Sequence, residues 1–178
     1  MALSLLNQGA IALKTGHFQE AKDLCQKQLP LMRDIGDRYL VTAGLICLGH
    51  ACYMLNEYHT AWQTLREGLE IAVTIKAPPL IAQATNQIAR LLYHLRRFES
   101  SFAMFTISQS YPIISTHHPG TPENLYELLV ENLTEEKRNE IQNTWQDKTL
   151  DEVTLFMRGE FDNWLHQANL NDNGRSPE

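Results

Sequence analysis

Apolar positions in the first 110 residues recur at steps of three and four, the spacing that lines one face of a helix. Leu45, Leu48, Cys52 and Leu55 form one such series, and Tyr58, Ala61, Leu65, Leu69 and Ala72 form the next. Leu55-Asn56-Glu57 interrupts the rhythm between them, as Lys14-Thr15-Gly16-His17 does in the preceding row of forty. Set in rows of forty, the chain aligns three segments without a gap. Gly9, Gly49 and Ala89 coincide, as do Phe18, Tyr58 and Phe98, and Ala21, Ala61 and Ser101. Cys25, Leu65 and Phe105 fall on one apolar site. Each row predicts two helices, and the rows divide at about 1–37, 38–77 and 78–115.

The breaks carry their own chemistry. Gly16 and Asn56 stand where a left-handed residue ends a helix cheaply, whereas Arg96 in the third row costs roughly 1 kcal/mol more in that conformation. Gly36 can close one pair and Asp37 can cap the next. Pro78-Pro79 breaks the chain before the third pair, at positions a helix's first turn tolerates. Small residues such as Gly49 and Ala61 let two helices approach closely, and the aromatic at Tyr58 fills space between successive helices. A single hairpin cannot bury both faces, so three are expected to stack into a right-handed, curved array.

Beyond Ser115-Thr116-His117-His118-Pro119-Gly120, read as a loop, Thr121 with Pro122 and Glu123 reads as a helix start. Leu125, Leu128, Leu129 and Leu133 supply its apolar face. Thr134 with Glu135 and Glu136 opens another helix, which carries Ile141 and Trp145. Thr149-Leu150-Asp151-Glu152 is a capping box ahead of Val153, Leu155, Phe156, Phe161, Trp164 and Leu165. Residues 121–168 are thus expected to be helices covering the end of the third hairpin, and 169–178 to be disordered.

A chain of 178 residues with 43% hydrophobic and 20% charged positions has the composition of an ordinary folded protein. Its net charge of −6 is uneven. Residues 121–178 carry 13 acids and 5 bases, while 1–120 carry 8 acids and 10 bases. No basic stripe of the kind phosphate-backbone binding needs is present, so direct contact with nucleic acid is not expected. Three cysteines without a Cys-x-x-Cys pair suit a reduced, cytoplasmic protein. No apolar run approaches the roughly 20 residues that cross a bilayer, so no membrane role is expected. The N-terminal stretch MALSLLNQGAIALK lacks a basic lead and makes a poor signal peptide. Leu3, Leu5, Leu6, Ile11 and Leu13 leave it apolar around much of the first helix, without the polar face of a terminal repeat. That surface suits a longer array, a partner or a second copy.

The stretches LLNQGAIALKTGHFQEA, LICLGHACYMLNEYHTA and ATNQIARLLYHLRRFESS resemble the tetratricopeptide repeat. They share its early small residue, its inter-helix Gly or Asn, the aromatic two residues later and the Ala three beyond that. Leu5, Leu45 and Thr85 stand where that family has a tryptophan, and the period exceeds its usual length of about 34. The link RDIGDR and the closing NTWQDKTLDEVTLFM are similar to the C-terminal sensor arms of bacterial signalling ATPases and transcription activators of the STAND and maltose-regulator type. The resemblance implies an all-α solenoid of tetratricopeptide-like hairpins with C-terminal capping helices. It also implies a non-enzymatic binding or scaffold role in a signalling regulator.

Repeats of this kind bind along the wall made by the first helix of each pair. Asn7, Lys14, His50, Tyr53, Asn86, Arg90, Tyr93 and His94 fall there in helical register. Asn, Arg, Tyr and His together offer donors and stacking surfaces for a peptide, a protein segment or a small anionic effector. Leu6 and Ala10 occupy part of the place of the family's carboxylate clamp, which argues against that specific activity. Self-association through the apolar first helix, giving a homodimer, is the alternative.

Catalytic, metal and cofactor chemistry is not expected. Cys47, His50 and Cys52 lack a zinc spacing, and Cys47 and Cys52 lie about 140° apart around a helix. They read as buried apolar thiols. No glycine-rich phosphate loop or nucleophile motif occurs.

Overall fold

The computed structural model describes the backbone of residues 2–111 and 124–173, and their side chains other than those of 2–7, 161 and 164–173. These residues form nine helices and no strand: α1 (Ala2–Lys14), α2 (Phe18–Ile35), α3 (Arg38–Met54), α4 (Tyr58–Thr74), α5 (Pro78–His94), α6 (Phe98–Gln109), α7 (Leu125–Asn132), α8 (Glu135–Trp145) and α9 (Leu150–Asn173). The chain divides into two compact units, Met1–Asp147 with α1–α8 and Lys148–Glu178 with α9. Among the described residues no helix is long and apolar enough to cross a membrane.

Helix bounds keep the forty-residue step of the sequence. α2, α4 and α6 begin at Phe18, Tyr58 and Phe98, and α1, α3 and α5 end at Lys14, Met54 and His94. Within the first unit each helix from α1 to α6 packs on the next, and α3 also touches α1 and α5. First helices therefore lie side by side in one row.

The turns repeat at half that step. Gly16, Gly36, Asn56, Lys76 and Arg96 all have positive φ, between 51° and 79°. In each turn the N–H of the left-handed residue donates to the carbonyl three residues back, as from Asn56 to Tyr53 and from Arg96 to Tyr93. In four of the turns the following N–H reaches five back: His17 to Ala12, Glu57 to Cys52, Ala77 to Ala72 and Arg97 to Leu92. This pair of bonds satisfies the carbonyls a helix end leaves open. Pro78 and Pro79 stand in the first turn of α5 as expected, and the left-handed residue that ends α4 before them is Lys76, which sequence alone did not single out. Asp37 caps α3 as expected, accepting from the N–H of Tyr39 at 3.0 Å and Leu40 at 3.1 Å.

Gly9 and Gly49 face side chains at the same repeat position, Cys25 and Leu65. A Cβ on Gly9 would lie 3.2 Å from Cys25 Sγ, and one on Gly49 would lie 2.5 Å from Leu65 Cγ. Ala89 is fully buried, and its carbonyl accepts from Ser101 Oγ at 2.6 Å. The core between the helix rows is closed by Trp62, Leu65, Leu69, Ile88, Leu91 and Leu92, all at most 1% exposed.

α7 and α8 pack against α6. Phe105 and Tyr126 bring their rings to 6.0 Å between α6 and α7, and Lys137 of α8 pairs with Glu99 of α6 at 3.4 Å. α7 starts at Leu125 with Asn124 as its cap, accepting from Tyr126 N–H, whereas the expected start at Thr121-Pro122-Glu123 lies outside the described residues. Thr134 caps α8 as expected. In the second unit, Thr149 and Glu152 form the reciprocal capping box of α9. α9 continues to Asn173, so residues 169–173 are helical where a structureless tail was expected; the first glycine after that stretch is Gly174.

Candidate functional site

The short turn within each hairpin brings the end of its first helix next to the start of its second, and aromatic side chains collect there. Tyr53 sits on the last turn of α3, Tyr93 and His94 on the last turn of α5, and Tyr58 and Phe98 open α4 and α6. Because α3 and α5 lie side by side, these rings meet. Tyr53 and His94 stand edge to face with centroids 5.0 Å apart. Tyr58 lies 6.5 Å from His94, Tyr93 lies 6.1 Å from His94 and 5.4 Å from Phe98, and His50 lies 6.3 Å from Tyr53. Edge-to-face and tilted pairs at these distances let ring edges meet the electron-rich faces of their neighbours. Tyr58 Oη donates to Asn56 Oδ1 at 2.7 Å, which fixes the ring to the turn beneath it.

His50 and Tyr53 are buried, Tyr93 is half-buried and His94 is exposed, so the cluster grades from core to surface. At its open end Tyr93, His94, Arg96 and Phe98 line a hollow of about 270 Å³. Sites for drug-sized molecules run from roughly 300 to 1,000 Å³. The hollow is therefore the size of one or two side chains. Arg96, exposed and held at φ 60°, is the charged residue of this lining.

The residues singled out from the sequence separate into two groups. His50, Tyr53, Tyr93 and His94 come together. Arg90 and Asn86 lie half-buried one and two turns back along α5 and pair with each other, Arg90 Nε donating to Asn86 Oδ1 at 3.3 Å. Lys14 is exposed on the last turn of α1, at the register that Met54 and His94 occupy in later hairpins. The side chain of Asn7 lies outside the described residues, as do His117 and His118. Three members of the site were not expected. Tyr58 and Phe98 read as spacers within the hairpins, and Arg96 read only as an expensive turn residue. The available signal was the fixed offset between turn and aromatic, which puts position 96 two residues from Phe98.

Electrostatics nearby is already partly consumed. Glu57, next to Tyr58, pairs with Lys22 at 2.6 Å, and this contact raises the Lys22 amine above its ordinary range. Cys52 beneath them is pushed up to about 11 by burial and by the Glu57 carboxylate. Such a thiol stays protonated near neutral pH and is a poor nucleophile. All three cysteines are buried, as expected. Among the described residues no group of three or more His, Cys, Asp or Glu side chains could hold a metal ion.

Comparison with protein-family models, curated proteins and solved structures finds no match for this chain.

Proposed function

We propose that the chain is a tetratricopeptide-like binding module that takes a peptide or protein segment across the junction of its second and third hairpins. The observation that carries this reading is the gathering of Tyr53, Tyr58, Tyr93, His94 and Phe98 beside a side-chain-sized hollow with Arg96 at its rim. Rigid aromatic anchors around a small recess with one arginine are the composition of interface hot spots. The hollow can take one apolar or aromatic side chain of such a segment, with a carboxylate set against Arg96. The forty-residue repeat and the Trp145-containing C-terminal helices support a place in the sensor arm of a signalling or transcription regulator. Ligand binding there would bias a linked ATPase or DNA-binding unit by favouring one of its states.

The test is selection of peptides from a random library on the full chain, followed by titration against wild type and a Tyr93→Ala/His94→Ala double variant. Loss of about 2 kcal/mol or more, roughly 30-fold in Kd, is expected for an anchor pair, with the thermal midpoint held within a few degrees. Selected peptides that bind the folded variant as well as wild type would move the site elsewhere.

A self-association reading rests on a separate observation. Ile11, Leu31, Ile35 and Tyr39 are 50–63% exposed on α1, α2 and the first turn of α3. Sedimentation over a hundredfold range of concentration distinguishes it: a constant monomer mass removes the homodimer.

A further inference from the structure

The sulfurs of Cys25 on α2 and Cys47 on α3 lie 3.0 Å apart, in a place where both residues are buried. They come from different hairpins and are 22 residues apart in sequence. Neither side chain belongs to the ring cluster. We infer that Cys25 and Cys47 are an oxidative modification site, which a peroxide converts to an intramolecular disulfide stapling α2 to α3.

Three features of the pair support this. A disulfide needs its sulfurs at about 2.05 Å, so roughly 1 Å of approach completes the bond, within reach of side-chain rotation. Room for the sulfurs is provided by Gly9, whose missing Cβ would lie 3.2 Å from one Sγ and 3.4 Å from the other. The same junction forty residues on holds Leu65 and Gln87, both buried, so the interface does not require two thiols for filling. The cysteines bring chemistry that the equivalent positions lack.

The pair is also biased toward reaction. The two sulfurs share one S–H···S hydrogen bond. Loss of the first proton leaves a thiolate that accepts the remaining S–H, which lowers the thiol of Cys25 and raises that of Cys47, the latter raised further by burial. The thiolate attacks one oxygen of the peroxide, giving a sulfenic acid and hydroxide. The second thiol then attacks the sulfenic sulfur, forming the S–S bond and releasing water. Overall two thiols lose two electrons and two protons, and hydrogen peroxide becomes two waters. Cys52, also buried, is left as a thiol because its sulfur has no thiol partner at this distance among the described residues.

The experiment uses the full chain, reduced, freed of reductant and exposed to a small excess of hydrogen peroxide. Intact mass should fall by about 2 Da, the two hydrogens lost on forming one disulfide. Digestion with trypsin and chymotrypsin, which cuts between Cys47 and Cys52 at Leu48, should give one cross-linked peptide pair joining Cys25 to Cys47. The thermal midpoint should rise by roughly 5–10 °C over the reduced protein, because the link constrains the unfolded chain, and return on reduction. A Cys52→Ala variant should form the same link, and a Cys47→Ala variant should not. A Cys25–Cys52 link, a covalent dimer, or oxygen added to an unlinked cysteine would overturn the inference. So would thiols that survive peroxide in the folded protein while the urea-unfolded chain reacts.

Discussion

At Gly49 the backbone of α3 approaches α4 so closely that a Cβ would stand 2.5 Å from Leu65 Cγ and 2.7 Å from Cδ2. The Cγ is the branch point of a fully buried leucine, so it has little freedom to withdraw. Gly49→Ala is therefore expected to destabilise the fold by about 1–3 kcal/mol through overpacking, despite the better helix propensity of alanine. Denaturant melts check this, and the double variant Gly49→Ala/Leu65→Ala should be destabilised by less than the sum of its two single changes, a coupling that unrelated sites would not show. Arg96 presents the opposite case. Its φ of 60° is one that side chains with a Cβ adopt only at a cost, so Arg96→Gly should stabilise the protein by up to about 1 kcal/mol. The same change removes the guanidinium from the rim of the hollow. Peptides selected for a carboxylate should then bind at least tenfold more weakly, even as the melt moves up. A variant that gained stability and kept full affinity would show that Arg96 is only a turn residue.

Helices and turns explain why much of the fold was legible in the sequence. Gly16, Gly36 and Asn56 announce left-handed turns by residue type, and Asp37, Thr134 and Thr149 announce helix starts by their capping oxygens. Lys76 announces nothing, because its conformation is imposed by the bonds from its own N–H to Val73 and from Ala77 N–H to Ala72. Pro30 is a helix-breaking residue type that breaks nothing here: α2 continues through it from Phe18 to Ile35. Burial of Leu29 and Met32 on either side holds the helix together there. Since Pro30 lacks an N–H and its ring crowds the preceding turn, Pro30→Ala should raise stability by about 1–2 kcal/mol, the helix gain being offset in part by a looser unfolded chain. A fall in the denaturation midpoint would mean that Pro30 stabilises the protein more by restricting the unfolded chain than it costs the helix. α9 offers a pH test. The Glu152 carboxyl is held down to about 2 by Lys148, at 2.6 Å, and by the N–H and hydroxyl of Thr149. A lowered carboxyl contributes to the folded helix above its ordinary value of 4.5, and the contribution is lost as pH falls toward 2. Side-chain NMR titration should find Glu152 ionised at pH 3, and the Thr149 amide should lose protection, relative to its intrinsic exchange rate, between pH 4 and 2. A midpoint near 4.5 would mean that the capping box does not hold in solution.

Across the first unit, contacts run mainly between neighbours in sequence, with α3 touching both α1 and α5 as well. Such an arrangement gives each helix a stability set by how many sides are covered. It also explains the limits of reading the site from sequence. Helical register alone placed His50, Tyr53, Tyr93 and His94 on one face, but convergence with Tyr58 and Phe98 depends on the way adjoining hairpins sit together, which periodicity does not specify. Coverage further sets an order of local opening. In α3 every residue from Gly44 to Tyr53 is buried, and α4 and α5 contribute most of the largest fully buried side chains. α7 and α8 bury only Leu125, Leu129 and Ile141 among their described side chains. Amide hydrogen exchange under native conditions should therefore be slowest in α3–α5, opening close to the global unfolding free energy, and faster by two or more orders of magnitude in α7 and α8. α2 should be intermediate, with its weakest protection around Gln26, whose carbonyl has no N–H to accept from at Pro30. If α8 exchanged as slowly as α4, the first unit would open as one cooperative block, and nearest-neighbour contacts would not govern its stability.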